Sequence, residues 1–400
     1  MTIQPMTIQD RWLLPEGIEE VLPQQALRLE HYRRALLDLY YRWGYDLVVP
    51  PLIEFLESLL VGSSHDLELL TFKLTDQLTG RMMGMRPDMT PQVARIDAHM
   101  LKRDLPVRLC YIGTVLRTRA EGMAGSRSPL QVGAELYGHA GLDSDIEIIQ
   151  LMLETLRITG VSAVHLDLGH VGIYWNLARQ AGLDKTQEFA IFDMLQRKAV
   201  SEIEQYLREL ASDADTRDML LALTDLNGGL ETLTHARAIL KKADRQVGAA
   251  LDYLEQIGMR LARHAPDIEL HFDLAELRGY QYHTGVLFAA FTSGQGQEIA
   301  RGGRYDEIGK VFGRARPATG FSTDLNTLIG LGRATSPVVR DGVFAPAGDD
   351  PALRARIEQL RMAGERVVCG LSGQTGNPQA MGCNRQLVKR GVHWVEETLD

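Results

Sequence analysis

From Pro23 to Trp43 apolar residues recur at spacings of three and four, at Leu29, Tyr32, Leu36, Tyr40 and Trp43, which predicts an amphipathic helix stopped by Gly44. Tyr45 to Val49 favours strand and ends at Pro50-Pro51, which cannot continue a central strand. Val107 to Arg117 reads as a second strand, followed by a loop rich in Gly, Ser and Arg. Leu130 to Tyr137 alternates, with Leu130, Val132, Ala134 and Leu136 on one face and Gln131, Gly133, Glu135 and Tyr137 on the other. Ser144 is then expected to cap a helix through Ile146, Ile149, Leu153 and Leu156 to Gly160, and Val161 to Leu168 gives another apolar strand.

From about residue 173 to 265 the chain is dominated by helix formers, broken mainly at Asn227-Gly228-Gly229, and this reads as a helical insertion. Strand patterns return at Leu270 to Ala275, Val286 to Phe291 and Gln297 to Ala300, and a helix is expected to begin near Thr323. Gly332 to Pro351, rich in Gly, Pro, Asp and Ala, reads as a boundary between a core of residues 1–332 and a small α/β module of 333–400. In that module the pattern gives helix Pro351 to Gly364, strand Val367 to Leu371, helix Pro378 to Arg390 and strand Val392 to Glu396.

Composition narrows the function classes. With 45% apolar and 24% charged residues the chain is a globular one, and no apolar run approaches the roughly 18 residues that would span a bilayer. Met1 to Trp12 has neither a basic flank nor an apolar segment, so no secretory signal is read there and a cytoplasmic location is expected, with no membrane partner. Cys110, Cys369 and Cys383 are widely spaced, which argues against a disulfide framework or a metal site; no cofactor is expected. A formal charge of −9 with no block of basic residues demotes nucleic acid as a partner.

Four clusters carry candidate chemistry. Gln131 and Glu135 share a strand face across Gly133, where a glycine would clear space for a ligand, and Arg117 closes the neighbouring strand; taken alone, this also describes a solvated face with an ion pair. Arg278-Gly279-Tyr280-Gln281-Tyr282-His283-Thr284-Gly285 offers a guanidinium fork beside aromatic rings, or an ordinary hairpin turn. Arg301-Gly302-Gly303-Arg304-Tyr305-Asp306 permits close backbone approach, or is a plain glycine turn. Arg86-Pro87-Asp88-Met89-Thr90-Pro91 would hold a carboxylate and a hydroxyl in a stiff loop, or is a purely structural loop. Gly370, Gly373 and Gly376 lack the spacing of a phosphate loop.

In this order, the clusters resemble a class II aminoacyl-tRNA synthetase, specifically the histidine enzyme. The helix-strand-Pro51 opening is similar to the first motif, which builds a dimer in that class. Arg117 through Glu135 is similar to the second motif, and Leu277 to Tyr282 resembles the stretch peculiar to histidine recognition. Gly302 to Asp306 followed by Gly320-Phe321 resembles the approach to the third motif. The resemblance implies an α+β fold, an antiparallel sheet flanked by helices. It also implies a histidine pocket in which Asp88 and Thr90 orient the α-ammonium, Arg117, Gln131 and Arg278 hold the carboxylate, and Glu135, Tyr282 and Tyr305 surround the imidazole. His283 stands where the family has a second tyrosine.

The departures lie on the nucleotide side. Thr327 stands where the third motif places an arginine, and Asp324 replaces a glycine there, an expected source of negative charge beside ATP phosphates. Arg117-Thr118-Arg119 loses the acidic residue that reads adenine, Pro129 stands at a base-stacking position, and Gly125 replaces a loop arginine. Each lost charged contact costs roughly 1.5–3 kcal/mol. A chain that keeps the amino-acid half and loses the ATP half resembles the regulatory subunits of ATP phosphoribosyltransferase, non-catalytic synthetase paralogues. That resemblance implies feedback sensing of L-histidine, a self-dimer, and a cytoplasmic hetero-octamer of four regulatory and four short-form catalytic subunits. The alternative is an active histidyl-tRNA synthetase with a divergent ATP site. From Ala334 to Asp400 the C-terminal module carries eight basic and eight acidic residues, so no tRNA binding is expected of it and a packing or dimer-edge role is.

Overall fold

The computed structural model describes residues 12–61, 65–120, 125–210, 213–277, 282–332, 341–374 and 376–399. The chain divides into two units, Met1–Ala334 and Thr335–Asp400.

A nine-stranded sheet organises the larger unit. Its spatial order is Asp46–Leu47, Val107–Thr114, Leu130–Tyr137, Ala318–Asp324, Ala300–Arg304, Val286–Thr292, Val164–His170, Glu269–Asp273 and Asn227–Gly228. Asp46–Leu47 pairs in parallel with Val107–Thr114, and so does Val164–His170 with Glu269–Asp273; the other pairs are antiparallel. The sheet is therefore mixed, and helices flank it. Pro23–Arg42 buries Tyr32, Leu36, Leu39 and Tyr40, the row set by its apolar spacing, with the Tyr40 hydroxyl 3.0 Å from Thr155 Oγ1 on Leu142–Ile158. Val132, Ala134 and Leu136, the apolar face of Leu130–Tyr137, pack into the same core as these two helices.

The odd face of Leu130–Tyr137 takes a different course. Glu135, Gly320, Gly303, Leu287 and Gly169 stand directly opposite one another on five successive strands. A row so poor in side chains leaves room above the sheet centre, and the candidate site forms there.

Several elements differ from the sequence reading. The strand expected at Gln297 to Ala300 runs Ala300–Arg304, so Arg301-Gly302-Gly303-Arg304 is a central strand and not a turn. Two glycines fit there because both neighbours approach closely: a Cβ on Gly302 would lie 2.2 Å from the Gly320 carbonyl oxygen. Arg304 is buried and is neutralised by Asp145 at 2.8 Å. The helix expected near Thr323 is preceded by the strand Ala318–Asp324 and begins at Leu325. Ser144 lies inside helix Leu142–Ile158, whose cap position is Gly141; its hydroxyl is 2.7 Å from the Gly141 carbonyl oxygen, to which it donates.

The region of helix formers holds Lys185–Gln196, Val200–Glu209, Ala214–Ala222, Glu231–Ile239 and Arg245–His264, and its main break, Asn227–Gly228, adds a two-residue strand to the sheet edge.

The smaller unit is a four-stranded sheet, ordered Arg366–Cys369, Gly342–Ala345, Cys383–Arg390 and His393–Thr398, with helix Pro351–Met362 on one face. Gly342–Ala345 lies in the stretch that reads as a boundary. Pro378–Met381 is only a 3-10 turn, and Cys383–Arg390 is a strand where the sequence pattern predicts helix. Gly382, at φ 74°, breaks the chain between them, and Leu387 then joins the helix-covered core.

Candidate functional site

Glu135 is the centre of the site. It is 1% exposed, at mid-strand, and three hydroxyls donate to it. Tyr111 Oη is 2.9 Å and Thr90 Oγ1 3.1 Å from Oε1, while Tyr305 Oη donates to Oε2. Burial pushes the Glu135 carboxyl up to about 8; the hydroxyls of Tyr305, Tyr111 and Thr90 pull it down and nearby Asp88 adds to the rise. Burial also holds the phenols of Tyr111, Tyr282 and Tyr305 well above their usual value.

Two glycines make this geometry possible. A Cβ on Gly320 would fall 1.5 Å from Glu135 Oε2, so only glycine lets the carboxylate lie across the neighbouring strand. Gly133 corrects the sequence reading: the space it clears is filled by Tyr111, whose hydroxyl would be 2.4 Å from a Cβ there, and not by a ligand.

The Asp88 loop is held from behind. Asp88 Oδ1 accepts from the backbone N–H of Thr90 at 2.9 Å and from Gln131 Nε2 at 2.8 Å, while Gln131 Oε1 accepts from the backbone N–H of Met89 at 2.9 Å. Thr90 opens the helix Thr90–Arg95, so the segment read as a stiff loop is a helix start. Arg117 lies just beyond strand Val107–Thr114, and its Nε donates to the Pro87 carbonyl at 3.2 Å.

These groups surround a cavity of about 310 Å³. Of the residues expected from the sequence, Asp88, Thr90, Arg117, Glu135, Tyr282, His283 and Tyr305 line it. Gln131 does not; it is buried and stands behind Asp88. Arg278 lies outside the described residues, as do Gly279, Tyr280 and Gln281. Tyr282 stacks on Tyr305 with ring centroids 5.1 Å apart, and its buried hydroxyl has no hydrogen-bond partner among the described residues. The cavity thus offers a carboxyl acceptor, an unpaired phenol, a second carboxylate and a guanidinium around an aromatic wall. That set suits a small planar ring bearing N–H groups, with an ammonium and a carboxylate on its tail.

The opposite side of the cavity differs. Glu276, Glu298 and Arg301 line it, with Arg301 Nη1 3.0 Å from Glu298 Oε1. At the end of Ala318–Asp324, Asp324 is consumed by the fold: Oδ1 accepts from the backbone N–H groups of Leu130 at 3.0 Å and Asn326 at 3.1 Å, and Oδ2 accepts from Thr327 Oγ1 at 2.8 Å. Its carboxylate is a helix cap, which corrects the expectation of a charge turned toward nucleotide phosphates. Arg119 is exposed. Among the described residues no group of three or more His, Cys, Asp or Glu could hold a metal ion.

Sequence reasoning missed Tyr111, Glu276, Glu298 and Ser322. The signal for Tyr111 was present: pairing the two long strands as a hairpin places it opposite Gly133.

Comparison with known proteins bears on this geometry. Residues 17–328 match the family model for histidyl-tRNA synthetase, and residues 340–397 match that for the ATP phosphoribosyltransferase subunit HisZ C-terminal domain. An ATP phosphoribosyltransferase regulatory subunit from Thioalkalivibrio sulfidiphilus is 61% identical, over 97% of this chain and 98% of that relative. One from Alkalilimnicola ehrlichii is 58% identical, over 98% of each. A Bacillus halodurans crystal structure described as an ATP phosphoribosyltransferase regulatory subunit/histidyl-tRNA synthetase superposes with a TM-score of 0.81 at 27% identity, over 94% of this chain and 96% of that one. With a synthetase-like core and that C-terminal domain in one chain, alike over nearly its whole length to these relatives, the protein belongs to the ATP phosphoribosyltransferase regulatory subunit family.

Proposed function

We propose that this chain is the non-catalytic subunit that controls ATP phosphoribosyltransferase, at the first step of histidine biosynthesis, and that it binds L-histidine in the Glu135 cavity. The observation that carries the reading is the unequal cavity. Its Glu135 side keeps an acceptor for an imidazole N–H, with the Tyr282 hydroxyl nearby, while on the other side Arg301 is paired with Glu298 at 3.0 Å and, beyond the lining, Thr327 stands where the synthetase resemblance expects an arginine. Asp88 and Thr90 would take the α-ammonium, and Arg117, with Arg278, the carboxylate.

Control requires that histidine bind one state of the assembly better than another; a coupling of roughly 1–3 kcal/mol gives a several-fold to hundred-fold effect. The assembly we propose is a cytoplasmic hetero-octamer of four such chains, paired as self-dimers, with four short-form catalytic subunits. By reciprocity the catalytic subunit's substrates would alter histidine affinity. The test is inhibition of the reconstituted complex by histidine: the wild-type chain confers it, and Glu135→Ala forms the same complex without it. Equal inhibition with both chains would remove the cavity from the account.

A further inference from the structure

Three groups far apart in sequence meet behind the cavity wall. Tyr111 is fully buried on strand Val107–Thr114 and is not part of the cavity lining. Its hydroxyl is 3.0 Å from Thr90 Oγ1 and 2.9 Å from Glu135 Oε1, and Thr90 Oγ1 is itself 3.1 Å from Glu135 Oε1. The three oxygens close a small triangle; each hydroxyl has one proton, so with Tyr111 donating to Oε1, Thr90 donates either to Oε1 or to the Tyr111 oxygen. Thr90 belongs to the ammonium end of the cavity and Glu135 to the ring end, so the triangle joins the two halves of the ligand site. The ring of Tyr111 reaches this place only because Gly133, its register partner, has no side chain.

We propose that Tyr111 is a positioning residue: without touching ligand, it holds Thr90 and Glu135 in one hydrogen-bonded unit and favours the ionised form of the Glu135 carboxyl that accepts a ligand N–H. This deepens the histidine reading and rests on it. The physical argument is one of donor count. A phenol with its proton directed at Oε1 stabilises a carboxylate and cannot serve a protonated carboxyl oxygen as well. Glu135 ionises against a burial that pushes its carboxyl up to about 8, so each donor on it shifts the balance at neutral pH. Tyr305 supplies a donor to Oε2, but Tyr305 lines the cavity and touches ligand directly, so the two phenols are separable by substitution.

The test uses the full chain and L-histidine as probe, with wild type, Tyr111→Phe, Thr90→Val and the double variant compared by calorimetry between pH 7 and pH 9. Phe keeps the buried ring and removes only the hydroxyl. Tyr111→Phe is expected to bind about tenfold more weakly at pH 7, with the deficit shrinking as pH rises, because base ionises Glu135 without the help of the phenol. In the Thr90→Val background the loss is expected to persist at about tenfold or more, because Tyr111 is then the remaining hydroxyl donor on Oε1. A pure packing role would lower stability and leave the pH profile of binding unchanged, and an unchanged profile overturns the proposal. A ligand-free measurement keeps it separate from the histidine reading. Carbon-13 NMR of the Glu135 carboxyl should show its titration moved upward in Tyr111→Phe, and an unmoved midpoint defeats the positioning role whether or not histidine binds. Wild-type chain that takes up no histidine defeats the functional reading instead, and the carboxyl titration still decides this one.

Discussion

Glu135 and Asp324 stand on paired strands, four residues apart in register, and the protein treats the two carboxylates in opposite ways. Asp324 accepts from two backbone N–H groups and one threonine hydroxyl, and its charge is spent on starting a helix. Glu135 accepts only from side-chain hydroxyls, with no cation among its hydrogen-bond donors in the described residues, and sits at the wall of a cavity. The contrast shows that an acid at a helix start is satisfied by backbone, whereas a buried acid at a cavity wall is held by side-chain hydroxyls that leave room for a further donor. One strand pair thus has one carboxyl at the wall of a cavity and one closed by its own architecture.

The comparison breaks most readily at Glu135. Replacing it with alanine removes the imidazole acceptor and strands the hydroxyls of Tyr111 and Tyr305, so histidine affinity should fall about 100-fold or more by calorimetry. Affinity within about threefold of wild type would place the ligand elsewhere.

The pH dependence of stability sharpens the same point. A carboxyl raised to about 8 in the folded chain, from 4.5 as the unperturbed value, keeps a proton that the unfolded chain has lost. Its contribution is therefore most favourable at low pH and is lost as pH rises toward 8, by at most ~1.4 kcal/mol per unit. Urea unfolding of Glu135→Gln against wild type from about pH 5 to pH 8 should show the slope reduced in the variant; parallel curves would mean that Glu135 is not buried as a neutral acid.

At the other end the effects are smaller. Asp324→Ala should cost about 1 kcal/mol of stability through the lost cap and leave histidine affinity within about twofold. A large loss of affinity there would make Asp324 part of the ligand site. Thr327→Arg should have the smallest effect, within about 0.5 kcal/mol of stability, because Thr327 is exposed. It should also fail to create histidine-dependent exchange of pyrophosphate into ATP, since one cation does not restore the remaining losses.

Much of this was legible in the sequence where a single period dominated. The Leu130–Tyr137 alternation and the helical spacing of Pro23–Arg42 gave their elements almost to the residue, because one face of each is apolar. Ala300–Arg304 and Ala318–Asp324 were not legible as strands: Gly302, Gly303 and Gly320 carry no strand preference, and only their neighbours across the sheet explain them. Cys383–Arg390 escapes a sequence reading because it holds few apolar residues and its core contact is Leu387. In the site, residue types alone left Asp88, Thr90, Glu135 and Tyr305 open to plain structural readings; the family resemblance pointed to them, but not to the division of labour. Whether Gln131 meets a ligand or braces Asp88, and whether Gly133 makes room for a solute or for Tyr111, depends on distances of a few ångströms between segments far apart in the chain.

The central claim is that this cavity takes an amino acid and not a nucleotide. Calorimetric titration of the isolated chain with L-histidine, and separately with magnesium-ATP in the presence and absence of histidine, tests it most directly. The account predicts saturable binding of one histidine per chain and no heat from ATP in either case. ATP binding strengthened by histidine, with release of pyrophosphate, would contradict it.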